Sequence, residues 1–158
     1  MRRKDREVTD IKELETMIQE CKVCHLAMTD GLVPYVVPLN FGYVLLADST
    51  LELYFHSAKE GKKMEILKQN NKVCFELSCE GELIVAEPAC NSGCYFSSVI
   101  GFGEVVFLEA TEEKCEALSV LFKHQTGKDV NFEAAQAEHV CIYKVVSRDF
   151  TGKRKAKA

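Results

Sequence analysis

No stretch of this 158-residue chain approaches the run of about 20 apolar residues that a membrane-spanning helix needs, which argues against that class of protein. A surplus of positive charge is also missing. The formal net charge is -4, and without a basic face to neutralise phosphates a nucleic-acid partner is not expected. The segment Met1 to Glu7 is charged and no apolar stretch follows it, so no secretory leader is expected and the cytoplasm is the expected location. No GxGxxG follows a strand-like segment and no Walker loop occurs, which removes the Rossmann and P-loop nucleotide sites. Nor does any repeat or low-complexity linker divide the chain. Residues 1–158 therefore read as one domain, long enough to bury a single core.

What is present is apolar patterning broken by turns. Asp10 reads as an N-cap, with Glu13 at the capping-box position and Ile11, Leu14, Ile18 and Cys21 at helical spacing behind it. This predicts a helical lead over about 9–21. From Lys22 the pattern becomes extended and stops at Asp30-Gly31, a hairpin signal. The return strand, Tyr35 to Leu46, is interrupted by Pro38 and Gly42, which suit a bulge or an edge. A strand from Leu51 to His56 leads into a helix predicted from Ala58 to about Gln69, capped by Ser57 with Glu60 in the capping-box position. Strands are expected at 72–78, 82–85 and 97–108, with Gly101 and Gly103 marking bending or close backbone approach. Thr111 reads as the cap of a helix that stops at Gly127, a short helix starts at Asn131, and the last strand runs from Val140 to Val146. The basic residues Lys153, Arg154, Lys155 and Lys157 read as a frayed tail over about 151–158. Strands that follow one another through hairpins, with helices only at intervals, fit a mainly β, antiparallel barrel with flanking helices.

The eight cysteines are expected to be free thiols in a reducing compartment, with Cys74, Cys115 and Cys141 lying in apolar patterns as core residues. Cys21-Lys22-Val23-Cys24-His25 formally matches a haem-attachment motif, but it spans a predicted helix end and a strand. Cys90 and Cys94 could join Cys21 and Cys24 around zinc, although their separation makes a weak ligand pattern. No metal is expected.

The sharpest chemical signal is Tyr54-Phe55-His56-Ser57-Ala58-Lys59-Glu60-Gly61-Lys62-Lys63, where a strand delivers a His and a Ser to the opening of a helix. Backbone N–H groups and the helix dipole make such a turn attractive to anions. Lysines at that positive end are unfavourable for a bare helix, and a bound phosphate removes the conflict. The competing interpretation is a solvated face in which Glu60 relieves the repulsion and Ser57 is only a cap.

Four segments then occur in a familiar order: Val37-Pro38-Leu39-Asn40-Phe41-Gly42-Tyr43; Tyr54 to Ala58 with Gly61-Lys62-Lys63; Ser98-Val99-Ile100-Gly101-Phe102-Gly103; and Phe150-Thr151-Gly152-Lys153-Arg154. Together they resemble the 5-nitroimidazole-resistance (Nim) branch of the pyridoxamine 5'-phosphate oxidase-like flavoproteins, over nearly the whole chain. The resemblance implies a six-stranded Greek-key split barrel that forms a homodimer, with FMN held in grooves between the subunits. Carried onto this chain, it sets His56, Ser57, Lys62 and Lys63 around the flavin phosphate, Asn40, Phe41 and Gly42 against the ring system, and Ser98 and Val99 near the flavin from the other sheet edge. Ser97 departs from the charged residue expected at its position. A lone barrel would then leave groove residues such as Phe41 exposed.

The implied activity is an FMN-dependent oxidoreductase that passes electrons from a reduced nicotinamide or similar small-molecule donor to a small acceptor, a nitroaromatic in the Nim branch. His56 is the candidate catalytic residue, placed to donate a hydrogen bond to the flavin or a proton to the acceptor. The alternatives are a non-catalytic FMN- or haem-binding protein of the same fold, or a redox sensor that uses its vicinal cysteines.

Overall fold

The computed structural model describes residues 2–156, so Met1 and the tail residue Lys157 lie outside the described residues. A two-residue strand, β1 (Glu7–Val8), precedes the first helix, α1 (Ile11–Glu20). Asp10 starts α1 as predicted: its carboxylate accepts the backbone N–H groups of Lys12 and Glu13, each at 3.0 Å. Strands β2 (Val23–Asp30) and β3 (Val33–Asn40) form the expected hairpin around Gly31. There follow β4 (Gly42–Leu45), β5 (Leu51–Ser57), α2 (Lys62–Gln69), β6 (Lys72–Ile84) and β7 (Gly93–Phe107). Helices α3 (Thr111–Thr126) and α4 (Ala134–Ala137) lead into the last strand, β8 (Cys141–Lys155).

The strands form one antiparallel sheet in the order β3-β2-β6-β7-β8-β5-β4, with β1 paired to β8. Six strands are long, and β1 and β4 are short additions to the six expected. The two edges of the sheet, β3 and β4, are joined through the single residue Phe41. The sheet must therefore curl until its edges are neighbours, which makes a barrel split between them. Leu26, Phe55, Phe75, Leu77, Val99 and Tyr143 fill the interior. Helix α1 buries Leu14, Met17 and Ile18 against the same core. A second cluster, Leu108, Ala117, Leu118, Ala137 and Ile142, forms where α3 and α4 cover the outer side of the barrel wall.

Several expectations require correction. Strand β5 continues through Ser57, which pairs with Cys141, so the next helix begins at Lys62 rather than Ala58 and its N-cap is Gly61, not Ser57. Ala110, not Thr111, is the N-cap of α3, although the helix does stop at Gly127, whose N–H bonds the Lys123 carbonyl at 2.7 Å. The strands expected at 72–78 and 82–85 are one strand with a register shift between Glu80 and Leu83. The basic tail is not frayed as far as Lys155: Lys153, Arg154 and Lys155 lie in β8, opposite Ser98, Ser97 and Phe96 of β7. Cys115 and Cys141 pack against the two clusters, whereas Cys74 faces outward from β6 beside the similarly outward Glu76.

Candidate functional site: a lysine-lined cleft at the start of α2

Where β5 ends, the chain makes a bend through residues 58–60 and enters α2 at Gly61. Gly61 has φ +121°, a conformation that side-chain-bearing residues rarely adopt, so the tight entry into the helix requires glycine there. The N–H groups of Met64 and Glu65 both bond the Gly61 carbonyl, at 2.9 and 3.1 Å. Helix geometry leaves the N–H groups of Lys62 and Lys63 as the outward donors of the first turn. Across from them stands the edge strand β3. Tyr35, Val37 and Leu39, with Ser57, Lys62 and Lys63, line a cleft of about 340 Å³ between strand and helix.

The two lysines are held differently. Lys62 Nζ lies 3.1 Å from Asp30 Oδ2 and 5.0 Å from the centre of the Tyr35 ring. Both members of that ion pair are about half exposed, so it contributes little and can yield to a stronger anion. Lys63 is half-buried, with Nζ 5.8 Å from the centre of the Tyr143 ring, and burial pulls its pKa below the ordinary lysine range. An anion in the cleft would offset that cost. The Ser57 hydroxyl lies 3.0 Å from the Ala58 carbonyl and 3.2 Å from the Met64 sulfur, tying the strand end to the helix.

Ser57, Lys62 and Lys63 are thus brought together as the sequence suggests. His56 is not with them. Side chains alternate along a strand, and His56 leaves the face of β5 opposite to Phe55 and Ser57, on the side where its partner Ile142 packs under α3 and α4. Asn40, Phe41 and Gly42 form a seam with α3. Asn40 Nδ2 donates to the Lys22 carbonyl and to Gln125 Oε1, both at 3.1 Å, and Gln125 Nε2 donates to the Phe41 carbonyl at 2.8 Å. Phe41 is fully buried within one protomer, against the expectation that a lone barrel exposes it, and its ring lies 4.7 Å from that of His124. At Gly42 a Cβ would sit 2.4 Å from the Leu121 Cα, so glycine is needed here for helix docking. Val99 is buried in the core, and Ser98 lies half-buried on the outer face of β7 opposite Lys153.

A larger cleft, about 730 Å³, adjoins this seam at the C-terminal end of α3. Its lysines and histidine are already engaged: Lys22 with the His124 carbonyl at 2.6 Å, His124 with the Cys21 carbonyl at 2.8 Å, and Lys123 with Asp129 at 2.7 Å. The dipole of α3 is negative at this end, so the α2 cleft is the better anion site. Tyr35, Asp30 and Tyr143 were not legible as site residues, because only strand pairing brings them to α2. The Cys21–His25 motif does not converge either: Cys24 is buried, while His25 points outward and bonds Glu76 at 2.9 Å. Among the described residues no three metal-ligating side chains come together, and no helix is long and apolar enough to cross a membrane.

The pyridoxamine 5'-phosphate oxidase family matches residues 10–154. The chain belongs to that family. Among solved structures of the fold, a candidate 5-nitroimidazole antibiotic resistance protein from Bacteroides thetaiotaomicron is 34% identical, with a TM-score of 0.80 over 94% of this chain and 86% of that one. A FAD and haem binding protein from Mycobacterium smegmatis superposes with a TM-score of 0.81 at 15% identity, covering 96% of this chain and 74% of that one. The flavocytochrome Anf3 from Azotobacter vinelandii gives 0.80 at 19% identity, covering 99% and 72%. At those two identities the likeness is one of fold. Comparison with curated proteins gives no match.

Proposed function

We propose that this member of the pyridoxamine 5'-phosphate oxidase family is an FMN-binding redox protein that carries electrons from a reduced nicotinamide or similar donor to a small acceptor. The observation that carries the reading is the pair Lys62 and Lys63 on the first turn of α2, facing the β3 edge across a cleft. Two cations and outward N–H groups there suit a phosphate monoester. The two ends of an FMN molecule are served unequally by one protomer. The α2 cleft suits the phosphate end, but Phe41 and Gly42 are buried under α3 and the exposed Asn40 has its amide engaged by Lys22 and Gln125, so the three provide no platform for a ring within one protomer.

A homodimer resolves this division, because a second copy supplies the remaining wall. A suitable surface exists on the outer face of the sheet. Val36, Ala27, Cys74 and Phe102 are paired in turn across β3, β2, β6 and β7, and Ile100 lies in the neighbouring row. Val36 and Phe102 are more than half exposed, an apolar row that association would cover.

When bound, the flavin itself supplies the electron-transfer chemistry. The chain's own part is to hold the phosphate with Lys62 and Lys63, to wall the cleft with Tyr35 and Leu39, and to exclude water through the dimer. Nitroaromatics belong among the acceptors to assay, given the description of the relative at 34% identity. The test is to titrate the protein with FMN, FAD and haem while recording absorbance, then to add NADH or NADPH. A perturbed flavin spectrum that bleaches on addition of the donor is expected. Binding without bleaching would leave a flavin carrier, and a Soret band without flavin binding would contradict the proposal.

A further inference from the structure

Two cysteines far apart in sequence meet where α1 ends. Cys21, the C-cap residue of α1, is almost fully buried, and its Sγ lies 3.1 Å from that of Cys79 in β6. Sulfur atoms at that distance are closer than ordinary packing requires. The Cys21 thiol also bonds the Met17 carbonyl at 3.2 Å. With its single hydrogen directed there, a sulfur lone pair is left to face Cys79. Burial and the neighbouring Cys79 thiol push the Cys21 pKa up, so Cys21 is a protonated thiol at neutral pH. Cys79 is only partly buried and lines an open groove of about 230 Å³ with Gly81, Tyr95, Ser97 and Arg154. A small oxidant can reach Cys79, while Cys21 waits behind it.

We propose that Cys79 and Cys21 form a peroxide-responsive disulfide pair, Cys79 as the sulfur that is oxidised first and Cys21 as the resolving thiol. In the first step Cys79 attacks a hydroperoxide. The O–O bond breaks, one oxygen is left on Cys79 as a sulfenic acid, and water or an alcohol departs. In the second step Cys21 Sγ attacks Cys79 Sγ, the S–O bond breaks, and the hydroxide leaves as water with the Cys21 proton. The two thiols together supply the two electrons that reduce the peroxide. The vicinal partner suggested by sequence, Cys24, is not involved: it is buried in the core and no thiol contact links it to Cys21.

The cross-link joins the end of α1 to β6 and so encloses β2 through β5 and the α2 cleft in one loop. This stiffens that half of the barrel against unfolding. The inference is independent of flavin binding.

The test uses the full chain with Cys90→Ser, which removes an exposed thiol able to link two molecules. The reduced, desalted protein is treated with hydrogen peroxide, alkylated, digested without reductant and mapped by mass spectrometry. A linked Cys21–Cys79 peptide pair is expected, with both thiols lost in equal amount and Tm raised until dithiothreitol reverses it. In Cys79→Ser, Cys21 should remain alkylatable once the protein is unfolded. In Cys21→Ser, Cys79 should stop at a sulfenic acid that dimedone traps. Should Cys21→Ser fail to fold, the map of the parent Cys90→Ser chain and Cys79→Ser decide the matter alone. Recovery of both thiols intact at a peroxide dose that oxidises Cys90 in the wild-type chain, or Cys79 linked to a different cysteine, would overturn the proposal.

Discussion

At the scale of single residues, the two lysines of α2 differ in a way that pH can reveal. Burial lowers the pKa of Lys63, and a phosphate beside it would raise that value again. Binding therefore takes up a proton between the two values, and FMN affinity should fall as pH rises through that interval, beginning below the ordinary lysine range. Lys63→Arg should remove the part of the fall that begins below the ordinary lysine range, and riboflavin, which lacks the phosphate, should show none. Titration of both ligands across alkaline pH checks this. Tyr143 presents the opposite situation, a fully buried hydroxyl with no hydrogen-bond partner among the described residues. Removing an unpaired buried polar group costs nothing in lost bonds, so Tyr143→Phe should be neutral or stabilising by about 1 kcal/mol, read from the urea midpoint. A large loss would mean that the hydroxyl does have a partner. The lysines were legible in the sequence because they adjoin a helix start, whereas Tyr143 read only as part of an apolar strand.

At the scale of elements, some helix-end signals hold and others yield to pairing with a distant strand. Asp10 caps α1 and Gly127 ends α3 because each acts within one turn of its own helix. Ser57 with Glu60 looks like a capping box, but pairing to Cys141 keeps Ser57 in β5 and delays the helix. Lys153 to Lys155 look like a solvated end, yet they are a strand because β7 runs beside them. The interruption expected at Pro38 and Gly42 falls at Phe41, with Pro38 inside β3, and nothing local announces that α3 docks there. Gly42→Ala should therefore act on stability: a Cβ against the Leu121 backbone costs about 1–3 kcal/mol, or about 2–4 °C of Tm per kcal/mol in a chain of this size. His124 adds a pH dependence to the same seam. Burial lowers its pKa, so the unfolded chain holds the proton more tightly and stability is lost as pH falls below the ordinary histidine value of about 6.5. Urea midpoints at pH 7.5 and 5.5 should differ more in the wild type than in His124→Asn.

At the scale of the whole molecule, antiparallel pairing throughout lets a chain of hairpins close into a barrel, and the split between β3 and β4 is bridged by one buried residue. What the protomer leaves uncovered is the apolar row on the outer sheet face. Light scattering at micromolar concentration should give twice the 17.8 kDa chain mass. Ile100→Glu with Phe102→Glu should give the monomer and weaken flavin binding together. A monomeric wild type that still binds flavin would show that the cleft needs no second copy.

The central claim is that Lys62 and Lys63 hold a phosphate, and the most direct measurement compares FMN with riboflavin on the wild type and on Lys62→Ala/Lys63→Ala. Each lost charged contact should weaken FMN by about 1.5–3 kcal/mol, while riboflavin affinity and the urea midpoint stay nearly constant. Equal weakening of both ligands would contradict the account, because the lysines would then be acting on the fold or on the ring and not on the phosphate.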